Sequence, residues 1–163
     1  MKAFKKFLII LLVFAVNLVS AKDVYAAQKY ENEFWVYYIS ENRTEEYDPD
    51  KVGKWMYFFY NRDFVDRVCS EAVERKIVNS AKYSNDIKGV ACFYINGDDP
   101  VAHKRVLDYF FEKHLIPKGK YSKFRDISFK FDSQTLLGEY GKDFHARIRL
   151  SDFVDLETGR WLE

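Results

Sequence analysis

The chain has 163 residues, 26 of them Lys or Arg against 25 Asp or Glu. That length suits one core and is short for two, and the near-neutral balance excludes whole-molecule attraction to nucleic acid or to an anionic membrane, which needs a clear basic excess. The aromatic surplus of 12 Tyr, 15 Phe and 3 Trp favours strands, whose pleated, half-buried surfaces accommodate such rings.

Lys2, Lys5 and Lys6 precede the apolar run Phe7 to Val16 and two small-residue cleavage contexts, the pattern of a secretory signal peptide. A cut after Ala21 has Val19 and Ala21 three and one residues before the bond; a cut after Ala26 has Val24 and Ala26 there. Asn17 interrupts the apolar stretch short of the roughly 18 residues that a spanning helix needs. The reading is therefore a leader over residues 1–26, a single globular domain over 27–163, a secreted or cell-envelope address and no stable membrane span. In that oxidising compartment Cys69 and Cys92 leave a disulfide open. The alternative is two free thiols packed as small hydrophobes, since Cys69 falls on a helical apolar stripe and Cys92 inside an apolar strand.

The elements follow in order. The stretch from Ala21 to Asn32 is polar and unpatterned, and reads as an exposed lead-in to a domain starting near Glu33. Phe34 to Ser40 is a strand, followed by a polar loop to Gly53, in which Asn42-Arg43-Thr44 matches the short glycosylation pattern. Lys54 to Tyr60 is a second strand. Asn61 or Asp63 then caps a helix whose residues Phe64, Val65, Val68, Cys69, Ala72, Val73 and Ile77 share a stripe. A short strand over Asn79 to Ser84 leads to a buried strand over Gly89 to Asn96. Asp99 and Pro100 start a second helix that runs to about Leu115. Two alternating strands follow, Asp126 to Ser133 and Phe144 to Ser151, and a last hairpin turns at Glu157-Thr158-Gly159.

This order implies an α+β fold, a curved and mainly antiparallel sheet with two main helices packed on one face, with a ferredoxin-like plait as the alternative. Gly53-Lys54-Trp55-Met56, Ala81-Lys82-Tyr83-Ser84, the strand Val90 to Ile95 and Phe131-Asp132-Ser133-Gln134-Thr135 leading to Gly138-Glu139-Tyr140 resemble the basophilic-leukaemia-expressed family of uncharacterised domains. The resemblance spans about residues 53–141. It implies a fold similar to that of the cap-binding translation initiation factor, and it implies no functional residue.

Helices on one face leave the other for a ligand. There the late strands display Lys130, His145, Arg147 and Arg149, and the early strands display Trp35 with Tyr37 or Trp55 with Tyr57, according to register. Basic groups beside rings suit an anionic and aromatic ligand, because Arg offers a fork to phosphate or carboxylate and Trp a stacking surface. The plainer alternative makes the arginines solvent-side residues paired with Asp132, and the Trp residues core. His145 is the weak catalytic candidate, with Asp143 or Asp132 as orienter and Ser128 or Ser133 as nucleophile. His103 and His114, roughly 16 Å apart along one helix, cannot share a metal. The acidic set Asp152, Asp155 and Glu157 lacks the spacing of a calcium loop. No cofactor motif is present. The chain thus reads as an exported binding module for an unknown small anionic ligand. The alternatives are a small secreted hydrolase or transferase using His145, and a protein-interaction, inhibitor or immunity domain with a protein partner.

Overall fold

The computed structural model describes residues 27–163, and the leader expected over residues 1–26 lies outside them. Both long helices begin where a short polar side chain takes over an orphan backbone donor. Asn61 accepts from the Phe64 N–H at 2.9 Å and opens α1 (Arg62–Glu74). Asp99 accepts from the Ala102 N–H at 2.9 Å and opens α2 (Pro100–Glu112), where Pro100 sits in the first turn with no helical bond to lose. Val65, Val68, Cys69, Ala72 and Val73 are buried along α1, and Ala102, Val106, Leu107 and Phe110 along α2. The second helix ends before the expected Leu115, because the chain turns at His114 with φ 56°.

Among the described residues seven strands form one open sheet, antiparallel throughout: β1 (Ala27–Glu31), β2 (Trp35–Ser40), β3 (Val52–Phe59), β4 (Ser80–Ser84), β5 (Gly89–Asn96), β6 (Ser128–Phe131) and β7 (Ile148–Arg149). Their order is β1-β2-β4-β5-β3-β6-β7. β5 lies between β3 and β4, and β3 lies between β5 and β6, so β3-α1-β4 and β5-α2-β6 are two split β-α-β units. The α+β sheet with its two main helices on one face is therefore what forms, and the plait offered as its alternative is its centre, widened by β1, β2 and β7. Both long helices pack on the face carrying Val36, Tyr38, Trp55, Phe59, Phe93 and Ile95. They touch one another there, the Tyr109 hydroxyl donating to the Val68 carbonyl at 2.8 Å.

Three expectations change. The polar stretch before Asn32 contains β1, an edge strand paired with β2 from Ala27↔Ser40 to Glu31↔Val36. Its pairing is made by backbone, and four of its five side chains are exposed, so no alternation marks it. The strand expected over 126–133 shortens to β6, and the chain then coils into a short helix, α3 (Asp132–Leu136). Over 144–151 only Ile148 and Arg149 pair, although exposure alternates along the whole stretch. The last hairpin forms as expected, with a Val154↔Trp161 bridge and Gly159 turning at φ 72°.

The disulfide left open by the sequence is not made, and both thiols are free and buried. Cys69 faces the helix-side core, whereas Cys92 pairs across strands with Lys82 and Met56 on the other face, so the sheet stands between them. Burial pushes the Cys92 thiol up to about 11, partly offset by Lys82 and Lys54, and the Cys69 thiol goes well above its ordinary value. A maleimide titration should accordingly find Cys69 inert in the native protein and two reactive thiols after unfolding; reaction of Cys69 under native conditions contradicts this packing.

Candidate ligand cavity on the open sheet face

The register that buries Trp55 and Phe93 turns their strand neighbours to the opposite face. Lys82 pairs with Cys92 and Cys92 with Met56; Tyr94 pairs with Lys54 and Lys54 with Lys130. Residues paired across strands share a face, so three lysines from β4, β3 and β6 stand together with Tyr94, Cys92 and Met56. Trp35 and Tyr37 join them because Val36 and Tyr38 point to the helices. α3 and the chain beyond it fold over this face. Lys54 holds α3 there by binding Asp132 and donating to Thr135 Oγ1 at 2.8 Å. Buried Gln134 donates to Glu139 Oε2 at 2.6 Å and to the His145 carbonyl at 3.1 Å, which fixes the following loop. The result is a cavity of about 470 Å³, floored by Met56, Val90, Cys92 and Tyr94 and walled by Trp35, Phe58, Tyr140 and Phe144.

The three ammonium groups differ in their partners. Lys54 is neutralised by Asp132. Lys130 donates to the Glu139 carbonyl and lies 3.5 Å from the centre of the Tyr140 ring. Lys82 has no carboxylate at ion-pair distance among the described residues. It lies over Trp35 at 4.1 Å, Tyr37 at 5.7 Å and Tyr94 at 5.8 Å. Burial lowers the pKa of Lys82 and Lys54 lowers it further, while Cys92 and Asp132 oppose them. Burial and then Lys54 also lower Lys130. Ring faces return only about 0.5–2 kcal/mol to an ammonium. Two cations that no carboxylate among the described residues pairs with, in an apolar cavity, therefore form a place where an anion is favoured over water.

Of the residues expected at a site, Trp35 and Lys130 line this cavity. Trp55 does not. It pairs with Phe93 and Phe129, is fully buried on the helix face, and its Nε1 donates to His103 Nδ1 at 3.0 Å. That is a correction of register, because the alternation of β3 places Lys54 and Met56 where Trp55 and Tyr57 were the other option. His145, Arg147 and Arg149 are exposed and outside the cavity lining; Arg149 pairs with Ser128, and the Arg147 guanidinium lies 5.7 Å from the Phe131 ring. His145 gains no catalytic orienter in Asp132, which is taken by Lys54. The acidic set is spent on local turns: Asp155 accepts from the Glu157 and Thr158 N–H groups, Asp152 accepts from the Arg149 N–H, and Glu157 pairs with Lys123. Among the described residues no His, Cys, Asp or Glu group is arranged to hold a metal, and no helix is long and apolar enough to cross a membrane. The sequence reading passed over Lys54 and Lys82. Their signal was a lysine at an alternating position inside an otherwise apolar strand, where a charge needs a partner.

A scan against protein-family models finds no match to this chain, and a search of curated proteins finds none.

Proposed function

We propose that the protein is an exported, single-domain binding module that takes an organic anion with an apolar or flat body in the open-face cavity. The observation that carries this is Lys82, an ammonium boxed by three rings at the edge of an apolar cavity, with no carboxylate at ion-pair distance among the described residues. Such a group binds an oxyanion more strongly than water-exposed lysines do, because the low-dielectric walls strengthen the contact. Lys130 supplies a second charge on the same lining. The anion site thus moves from Arg147 and Arg149, favoured by the sequence, to the lysines. Kinship with the basophilic-leukaemia-expressed family is likewise a proposal, resting on the short motifs, and it brings no ligand with it.

A thermal-unfolding screen against aryl carboxylates, aryl phosphates, sugar phosphates and simple anions tests the assignment. A ligand at about 100 times its dissociation constant stabilises the protein by about 2.7 kcal/mol. The expected result is a shift with one anion class that disappears in Lys82→Ala and Lys130→Ala and survives in Arg147→Ala with Arg149→Ala. A shift that ignores both lysines overturns the cavity. The protein-interaction alternative has one observation of its own, the exposed Leu136 and Leu137 at the end of α3. It expects a stoichiometric protein partner and no response to the panel.

A further inference from the structure

The larger cavity does not end at Lys82. A second hollow of about 290 Å³ adjoins it on the same sheet face, bounded by Tyr37, Arg43, Tyr47 and Asp132, and Lys82 and Tyr94 line both. The Lys82 ammonium is therefore the junction between an apolar chamber and a smaller, more polar one.

Arg43 lines that second chamber. It is exposed and has no carboxylate at ion-pair distance among the described residues. Its neighbours in the chain are nevertheless fastened. The Asn42 carbonyl accepts from Ser40 Oγ at 3.0 Å, and Thr44 donates its N–H and hydroxyl to Asn79 Oδ1 at 3.2 and 3.1 Å. Of the nearby negative charges, Glu45 is bound by Arg105 at 2.7 Å and Asp132 by Lys54, and Glu46 shares with Arg43 a separate hollow and does not line this chamber. Tyr47, another lining residue, is held by Ser80 Oγ and the Tyr94 carbonyl, both at 3.1 Å, so this part of the chamber wall is fixed. A pinned backbone carrying a guanidinium fork on the same chamber lining as a point-charge ammonium suits one oxyanion, with little backbone ordering left to do on binding.

We infer that the ligand is elongated and two-part: its apolar body fills the larger cavity and its terminal oxyanion crosses the Lys82–Tyr94 ridge, where Lys82 and Arg43 hold it. This rests on the binding reading above and adds to it a second subsite, the residue Arg43 and a ligand shape. Phosphate and carboxylate share the required chemistry, so both are tested.

The experiment is calorimetric titration of the protein with naphthyl phosphate, naphthoate, naphthol and inorganic phosphate, repeated on Arg43→Ala, Arg43→Lys and Lys82→Ala. The expected result is that at least one naphthyl anion binds. Naphthol and inorganic phosphate should each bind more weakly than that anion by about ten-fold or more, the usual worth of one charge-assisted contact. Arg43→Ala should lose about ten-fold for the anion, Arg43→Lys should recover part of it, and naphthol should be indifferent to both changes. Naphthyl phosphate binding better than naphthoate assigns a phosphomonoester, and the reverse assigns a carboxylate. Unchanged anion affinity in Arg43→Ala, with Lys82→Ala weakened, overturns the second subsite and leaves the cavity reading standing. Absence of any naphthyl binding to the unaltered protein overturns both.

Discussion

Trp55→Ala should lose about 3–5 kcal/mol of unfolding free energy, a large fraction of the roughly 5–15 kcal/mol that native domains commonly have. Trp55 is fully buried, and its ring meets His103 at 5.7 Å and Phe129 at 5.6 Å between centroids. Its indole N–H can only donate, so it fixes the neutral His103 tautomer: Nδ1 accepts from Trp55, and Nε2 carries the proton that goes to the Gly97 carbonyl at 3.0 Å. One chain of contacts thus ties β3 to α2 and to the turn before it. Trp55→Phe separates packing from hydrogen bonding. It keeps most of the ring and strands the His103 acceptor, and it should cost about 1–3 kcal/mol in urea unfolding. Equal losses in the two variants would mean that the indole N–H contributes most of the effect and the ring volume little. Burial holds the His103 pKa below its ordinary value, against the opposing Gly97 carbonyl and Asp99. The contribution of His103 is then complete above about pH 6.5 and declines as pH falls below it, because the unfolded chain takes up the proton first.

The same pairing explains which parts of the molecule were legible in the sequence. Helices announced by Asn61 and by Asp99-Pro100, and strands announced by continuous apolar runs such as 89–96, form where the residues indicate, because burial and capping leave composition marks. β1 left none, since an edge strand is recruited by the backbone groups of β2 and keeps Gln28, Lys29 and Glu31 in water. α3 was hidden because β6 and the helix share one alternating-looking stretch, and what ends the strand is a tertiary bond, Lys54 reaching Asp132 and Thr135. The site was half legible for a related reason. Trp35 and Lys130 could be named from type and position, but β3 offers two faces, and only its pairing with β5 and β6 decides that Trp55 goes inward and Lys54 outward. The link between Lys82 and Arg43 is longer-range again, since it depends on a loop pinned to Asn79.

Asp66→Ala should cost about 2–4 kcal/mol, because it leaves two half-buried tyrosine hydroxyls without their acceptor. One oxygen of Asp66 accepts from the Tyr38 hydroxyl at 2.7 Å, the Tyr83 hydroxyl at 2.7 Å and Lys29 Nζ at 2.8 Å. This single side chain of α1 therefore fastens β2, β4 and the edge strand β1, the side of the sheet that also carries Trp35 and Lys82. The Lys29 contact is exposed and contributes little by itself. Burial alone would raise the Asp66 carboxyl, but the hydrogen bonds from Lys29, Tyr83 and Tyr38 and the charge of Lys29 outweigh it and hold the pKa below 3.8. Burial, and then the hydrogen bond to Asp66 and its charge, push Tyr83 up to about 12, with Arg62 and Lys29 opposing. A carboxylate with a lowered folded pKa gives its full stabilisation above the unfolded value and loses it as pH falls through the folded value. Asp66→Asn keeps an acceptor oxygen and removes the charge, so at neutral pH it should lie between the unaltered protein and Asp66→Ala. Its deficit should shrink as acid protonates Asp66 in the unaltered protein, until the two unfold alike. A deficit that stays constant down through the carboxylate range would mean that shape, and not charge, makes Asp66 matter; hydrogen exchange would then show whether β1 and β2 open earlier in the Asn variant or only in the Ala variant.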